Sequence, residues 1–161
     1  MRLWVVDTSP LIFLAKLDRL DLLRRGAEQV VAPPAVFHEI NEYPDFAREK
    51  IEDAKKSWLS VRAVEDRRLV DVLMADLDAG ESEVIALALE LEAERVVLDD
   101  LDARRLAQRL GIAPVGTLGL LLAAKLRGEI QSLRAEIDRL RQAGFRVSPT
   151  LSQAVLQEAG E

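Results

Sequence analysis

A parallel β-sheet with helices on both faces is the fold class predicted by this 161-residue sequence. Three observations predict it: continuous apolar runs of strand length, such as LWVV at 3–6 and RVVLD at 95–99; helix-opening signals directly after them; and the alternation of the two along the chain. Strands covered on both faces read as unbroken apolar runs, whereas a sheet with one wet face alternates apolar and polar residues.

The first strand, Leu3 to Val6, stops at Asp7. Thr8-Ser9-Pro10 supplies a cap residue followed by a proline suited to the first helical position, and Leu11, Ile12, Leu14 and Leu17 form the apolar stripe of the next helix. QVVA at 29–32 is the second strand; Pro33-Pro34 ends it and opens a helix containing Val36, Phe37, Glu39 and Ile40. The highly charged stretch 45–57 reads as an exposed helix, and SVRAV at 60–64 as a short edge strand or extended connection. Asp78-Ala79-Gly80-Glu81 has the form of a capping box, and Val84, Leu87, Ala88 and Leu91 share one face of the helix it opens. After RVVLD come a helix with Leu106 and Leu110, a stop at Gly111, a short strand around Pro114-Val115 and a helix opening near Thr117. Leu118, Leu120, Leu121 and Leu122 in that helix read as core or interface. Residues 129–143 form a charged amphipathic helix ending at Gly144, and the tail from Phe145 to Glu161 is expected to pack a last helix on the body or on a partner. With no repeat or linker, residues 1–161 are expected to form a single domain, with 129–161 as a C-terminal helical extension packed on it.

The absence of Cys excludes disulfides, a thiolate zinc site and a cysteine nucleophile. Apolar stretches are too short to cross a bilayer, and the N-terminus meets Asp7 before any signal-like region develops, so a soluble, cytoplasmic chain with no membrane partner is expected. A net charge of −6 argues against a protein that coats nucleic acid non-specifically, but not against a nuclease whose acids are gathered at one cation site. Arg104, Arg105, Arg109, Lys125 and Arg127 are candidates for a basic rim, although each alone reads more simply as solvated helix surface.

In open α/β sheets, ligands bind beyond the carboxyl ends of the strands. Asp7 and Asp99 close strands, Glu39 lies early on the helix after the second strand, and Glu83 lies early on the helix before RVVLD. Four carboxylates from four segments are thus expected to meet at one end of the sheet. Such a gathering is unfavourable without cations, and an all-oxygen donor set suits Mg²⁺ or Mn²⁺, which can activate water for phosphodiester displacement.

Several segments together, VVDTSPLIFLAKL, APPAVFHEI, LDAGESEVIALALE, RVVLDDLDARRLA and VGTLGLLLAAKLRG, resemble the PIN-domain superfamily, in a branch similar to VapC-type toxin ribonucleases. The resemblance implies a three-layer α/β/α fold around a five-stranded parallel sheet, and a metal-dependent ribonuclease site at Asp7, Glu39, Glu83 and Asp99. Many PIN toxins carry Thr or Ser where Asp99 stands and place the last acid slightly later, so Asp100 or Asp102 can share or take that role. It also implies a homodimer and, for a true toxin, an antitoxin partner.

Each candidate has a structural alternative. Asp7 could merely cap the first helix, although Ser9 and Pro10 already carry that signal, and Ser9 could steady the Asp7 loop or meet substrate. Glu39 could be a solvent-facing helix residue, and His38, the sole histidine, reads as exposed rather than as a base. Glu81 already serves as the third-position acid of the capping box, which leaves Glu83 as the preferred ligand. Asp100 is well placed to cap the next helix, which favours Asp99. Arg104 could contact phosphate or pair with these acids, and Thr117 could cap its helix or meet a phosphate at the helix start.

The expected function is a metal-dependent endoribonuclease acting on RNA, with a water nucleophile. A catalytically silent PIN-like module that binds RNA or protein is the alternative, and a phosphohydrolase with a nucleophilic Asp7 is a third.

Overall fold

A computed structural model describes residues 2–43 and 45–161. Five parallel strands, β1 (Leu3–Val6), β2 (Gln29–Ala32), β3 (Leu59–Val61), β4 (Arg95–Val97) and β5 (Ala113–Val115), form one sheet in the order β3-β2-β1-β4-β5. Helices cover both faces, giving three layers. All four residues of β1 are buried, as a central strand requires, whereas β3 at one edge exposes Ser60 and Val61. The edge strand is shorter than the 60–64 expectation and starts one residue earlier, because β2 ends at Ala32, whose carbonyl takes the Arg62 amide at 3.1 Å, and offers no further partner.

The first helix, α1 (Thr8–Lys16), begins directly at Thr8 with Asp7 in the cap position. Pro10 therefore sits third in the helix rather than first, and Thr8 is a buried helical residue rather than a cap. Helix α2 (Asp21–Gly26) follows; the sequence pattern did not single it out because six residues are too few to display a helical period. After β2 comes α3 (Pro34–Asn41) with proline in its first turn, then α4 (Phe46–Lys55), capped by the Asp45 carboxylate accepting from the Ala47 amide at 3.0 Å. A second unanticipated helix, α5 (Arg67–Leu73), precedes α6 (Ala79–Glu90), whose capping box between Asp78 and Glu81 is present in full. Helices α7 (Leu101–Arg109) and α8 (Thr117–Leu126) flank β5, and Gly111 ends α7 in the left-handed region at φ +82°.

Residues 129–161 hold α9 (Leu133–Gln142) and α10 (Pro149–Glu158). Helix α9 starts at a Ser132 cap, later than the charge pattern suggests, and Gly144 follows it at φ +100°. The Glu161 carboxylate returns to accept from the Leu133 amide at 2.6 Å, which ties α10 back to the start of α9. The buried core runs from β1 and β4 through Leu11, Leu14, Ile85 and Leu121 to Leu133, Ile137 and Leu140, so α9 shares the core of the sheet. No helix among the described residues is long and apolar enough to cross a membrane.

The topology places the site. From β1 the chain proceeds to β2 and β3 on one side, then crosses to β4 and β5 on the other, so the direction of winding reverses between β1 and β4. The carboxyl ends of strands separate at such a switch point and leave a crevice there. Asp7 and Asp99 follow the two strands that flank it, and the Asp7 amide donates to the Val97 carbonyl at 3.0 Å.

Candidate active site

A cavity of about 510 Å³ opens at this crevice. Asp7, Glu39, Asp78, Glu81, Asp99 and Asp100 line it, brought from the end of β1, the middle of α3, the start of α6 and the β4–α7 connection. Of the acids favoured from sequence, Asp7, Glu39 and Asp99 are there, with Asp100. Glu83 is not: it is buried on another side of α6, where its carboxylate accepts from the Ala35 amide at 3.1 Å and from Arg67 at 3.0 Å. Two residues apart on a helix are rotated by about 200°. The acid that faces the cavity is therefore Glu81, which also closes the capping box, its side chain accepting from the Asp78 amide. Asp102 is exposed on the first turn of α7 and lies outside the lining.

Asp7 is only 6% exposed and, although at a cap position, makes no capping hydrogen bond with its side chain. Burial, reinforced by the charges of Glu81, Glu39 and Asp78, pushes its carboxyl up to about 8. Glu81 is pushed up to about 7, mainly by burial and further by Asp78 and Asp100. Glu39 is raised as well, first by burial and then by Asp78 and Glu42. Crowded, partly desolvated acids disfavour their own ionisation, so bound protons or a cation must relieve the repulsion.

Gly80 makes the crowding sterically feasible. A Cβ on this residue would collide with the Glu39 carboxylate and touch Asp7 Oδ1 at 3.5 Å, so the first turn of α6 approaches both acids closely only because the side chain is missing. Thr8 Oγ1 is buried beside Glu39 without reaching hydrogen-bond geometry to any group among the described residues. A buried hydroxyl beside the Glu39 carboxylate, close to buried Asp7, suits an oxygen-coordinated hard cation and its water. The carboxylates nevertheless surround a hollow rather than a closed cage: among the described residues no three of them are grouped tightly enough to hold an ion unaided.

Asp99 has a different setting from Asp7. Its Oδ1 accepts from the Thr117 amide at 2.7 Å, and its Oδ2 accepts from Thr117 Oγ1 at 2.8 Å and Ser9 Oγ at 2.7 Å. It thereby pins the starts of α1 and α8 to the end of β4. Ser9 steadies Asp99 rather than Asp7, and Thr117 is fully buried as the first residue of α8, with Gly116 as its cap. A Cβ on Gly116 would stand 3.1 Å from Asp99 Oδ1 and 3.3 Å from Arg104, so glycine eases a tight approach there. Asp100 both lines the cavity and caps α7 through the Ala103 amide at 2.9 Å.

None of the five rim candidates borders the cavity, where the simpler reading of each was solvated helix surface. Arg127 is engaged by Glu129, and Lys125 by the Gln131 carbonyl and Glu161. Arg104 lies against Gly116, while Arg105 and Arg109 are exposed on α7. The cations in the lining are Lys16 and Arg146, beside Phe13, Tyr43 and Phe145. No sequence signal selects these residues, since they come from opposite ends of the chain and meet only when α9 docks. His38 is exposed on α3 and outside the lining.

A PilT N-terminus domain protein from the hyperthermophilic archaeon Sulfolobus solfataricus shares this fold, with a TM-score of 0.56 and 22% identity over 76% of this chain and 92% of that one. No curated protein matches the chain in sequence. Residues 3–161 match the DUF3368 PIN-domain family, so that a three-layer fold with acids gathered at its switch point belongs, in this chain, to the PIN-domain family, whose superfamily is one of nucleases.

Proposed function

We propose that this protein is a metal-dependent endoribonuclease that hydrolyses phosphodiester bonds in the acid-lined cavity, with Mg²⁺ or Mn²⁺ as cofactor. The observation that carries the reading is the convergence on one cavity of acids from four chain segments, with Asp7 buried and uncapped at its base. Asp7, Glu39 and Glu81 would hold the cation with water completing its shell and Asp100 at the margin, and the set favoured from sequence is revised by exchanging Glu83 for Glu81. When bound, the metal supplies an activated water and stabilises charge on the scissile phosphate. Thr8, its buried hydroxyl beside Glu39, would help orient that carboxylate, and Asp99, engaged by Ser9 and Thr117, positions the loop that carries Asp100. Ser9 and Thr117 would then act on substrate only through Asp99, and Arg104 lies beside Gly116.

The test is cleavage of labelled RNAs with Mn²⁺ or Mg²⁺, with an EDTA control and Asp7→Asn. Metal-dependent cutting by the parent that is lost in a folded Asp7→Asn variant is expected; equal cutting by both removes the assignment. A second reading, a silent PIN-like module binding RNA or protein, draws on the absence among the described residues of a preformed three-acid metal group. RNA binding without cleavage under any metal condition would select it. The sequence similarity to VapC-type toxins extends the first reading to a cytoplasmic toxin acting as a homodimer and restrained by an antitoxin. Growth arrest on expression, relieved by co-expressing the product of the neighbouring gene but unaffected by an unrelated protein, is the expected sign.

A further inference from the structure

Six acids line one part of the cavity, and the rest of its lining has another chemistry. Lys16 closes α1, Tyr43 follows α3, and Phe145 and Arg146 lie in the turn between α9 and α10. Lys16 Nζ stands 5.5 Å from the centre of the Phe13 ring, and Phe13 meets Phe145 edge to face with centroids 5.0 Å apart. Tyr43 is 51% exposed. Among the described residues neither Lys16 nor Arg146 makes an ion pair, although both share a cavity with six carboxylates.

Cations held clear of such acids are available to an anion that enters from solvent. Aromatic rings beside them offer stacking faces, and every base has a π-face to place there. A base reaches such a ring only when it is unpaired and splayed from its neighbours. We propose that Lys16, Tyr43, Phe145 and Arg146 form a subsite for the nucleotide adjoining the scissile phosphate. The proposal rests on the nuclease reading of the same cavity. It gives residues 129–161 a part in binding, because the turn that follows α9 supplies two of the four groups. Arg146 and Lys16 take the flanking phosphate, and Tyr43 and Phe145 take the base.

The experiment uses the full chain in an Asp7→Asn background, which keeps the strand intact, with Mn²⁺ and a fluorescent single-stranded RNA of ten nucleotides. Anisotropy is read over a salt series. Arg146→Ala is expected to raise Kd about fivefold and to make the log–log salt slope shallower by about 0.7, one phosphate contact on a single strand. Tyr43→Leu is expected to raise Kd about fivefold with the slope unchanged, as loss of stacking would. Unchanged Kd in both variants, or no measurable binding, overturns the subsite. Cleavage by the chain with Asp7 intact is followed in parallel: cutting with unaltered variant binding removes the subsite and leaves the nuclease, whereas altered binding without cutting removes the nuclease and leaves the subsite.

Discussion

Glu81 and Glu83 stand two residues apart in α6, and each has partners that the other could not reach. Glu81 closes the capping box and faces the cavity, while Glu83 holds the start of α3 through Ala35 and pairs with Arg67, itself exposed. Glutamine keeps one acceptor oxygen, enough for the Glu81 bond to the Asp78 amide or the Glu83 bond to the Ala35 amide, but removes the charge and the second oxygen that Glu83 offers to Arg67. Glu81→Gln is therefore expected to keep the fold and lower metal-dependent cleavage by more than about tenfold. Glu83→Gln should leave cleavage within about twofold of the parent and cost less than about 1 kcal/mol, because a pair with an exposed Arg67 is well screened. Cleavage assays beside urea melts of the two variants separate them; the reverse pattern would return the ligand role to Glu83. Sequence alone could not choose, because every residue of α6 from Gly80 through Ala88 except Glu81 is buried, Glu83 among them, so the apolar stripe marks no unique inner face. Asp7, Glu39 and Asp99 were legible for the opposite reason: strand ends and a proline-opened helix fix which end of the sheet they occupy.

Helix α9 is attached to α1 through charge as well as apolar packing. Glu136, 5% exposed, accepts from Arg19 at 2.8 Å and from Arg139 at 3.2 Å, and Arg139 also donates to the Leu17 carbonyl at the end of α1 at 2.9 Å. Removing the shared acid leaves two guanidinium groups without their common partner, although both reach solvent and are partly screened. Glu136→Ala is expected to lower stability by about 1–2 kcal/mol, read as a smaller urea midpoint at unchanged m-value. It should also hasten tryptic cutting within 129–161 under native conditions, as local opening of α9 would. A lower midpoint with unaltered digestion would mean that α9 stays docked on its apolar face alone. The charged pattern of α9 announced an amphipathic helix, yet the partner of Glu136 lies 117 residues earlier in the chain. The short helices α2 and α5 escaped notice because neither spans enough turns to establish a period.

Across the whole molecule, the acid cavity couples stability to pH and to metal. Asp7 is raised from 3.8 to about 8 and Glu81 from 4.5 to about 7, both chiefly by burial, so the folded chain holds protons that the unfolded chain has released. Their contribution is fully present below the unfolded values and is lost as pH rises through about 7 to 8. Metal-free protein in EDTA should therefore lose roughly 2 kcal/mol between pH 5.5 and 8, or about 4–8 °C in Tm at this size. Asp7→Asn should flatten that decline, and Mn²⁺ should raise Tm more at pH 8 than at pH 6 because protons compete for the same oxygens. Calorimetry across pH checks this, and parallel curves for the parent and Asp7→Asn would discard the linkage.

Local periodicity, caps and strand ends are properties of neighbouring residues, so the alternation of strand and helix, the burial of the central strands and the arrival of Asp7 and Asp99 at one end of the sheet could be read along the chain. The folded chain alone shows that Glu81 rather than Glu83 lines the cavity, that Ser9 and Thr117 converge on Asp99, and that Lys16 and Arg146 share the acid-lined cleft. Those choices depend on helix rotation and on contacts between residues far apart in the chain, which are settled by packing around the sheet and by the topological reversal between β1 and β4.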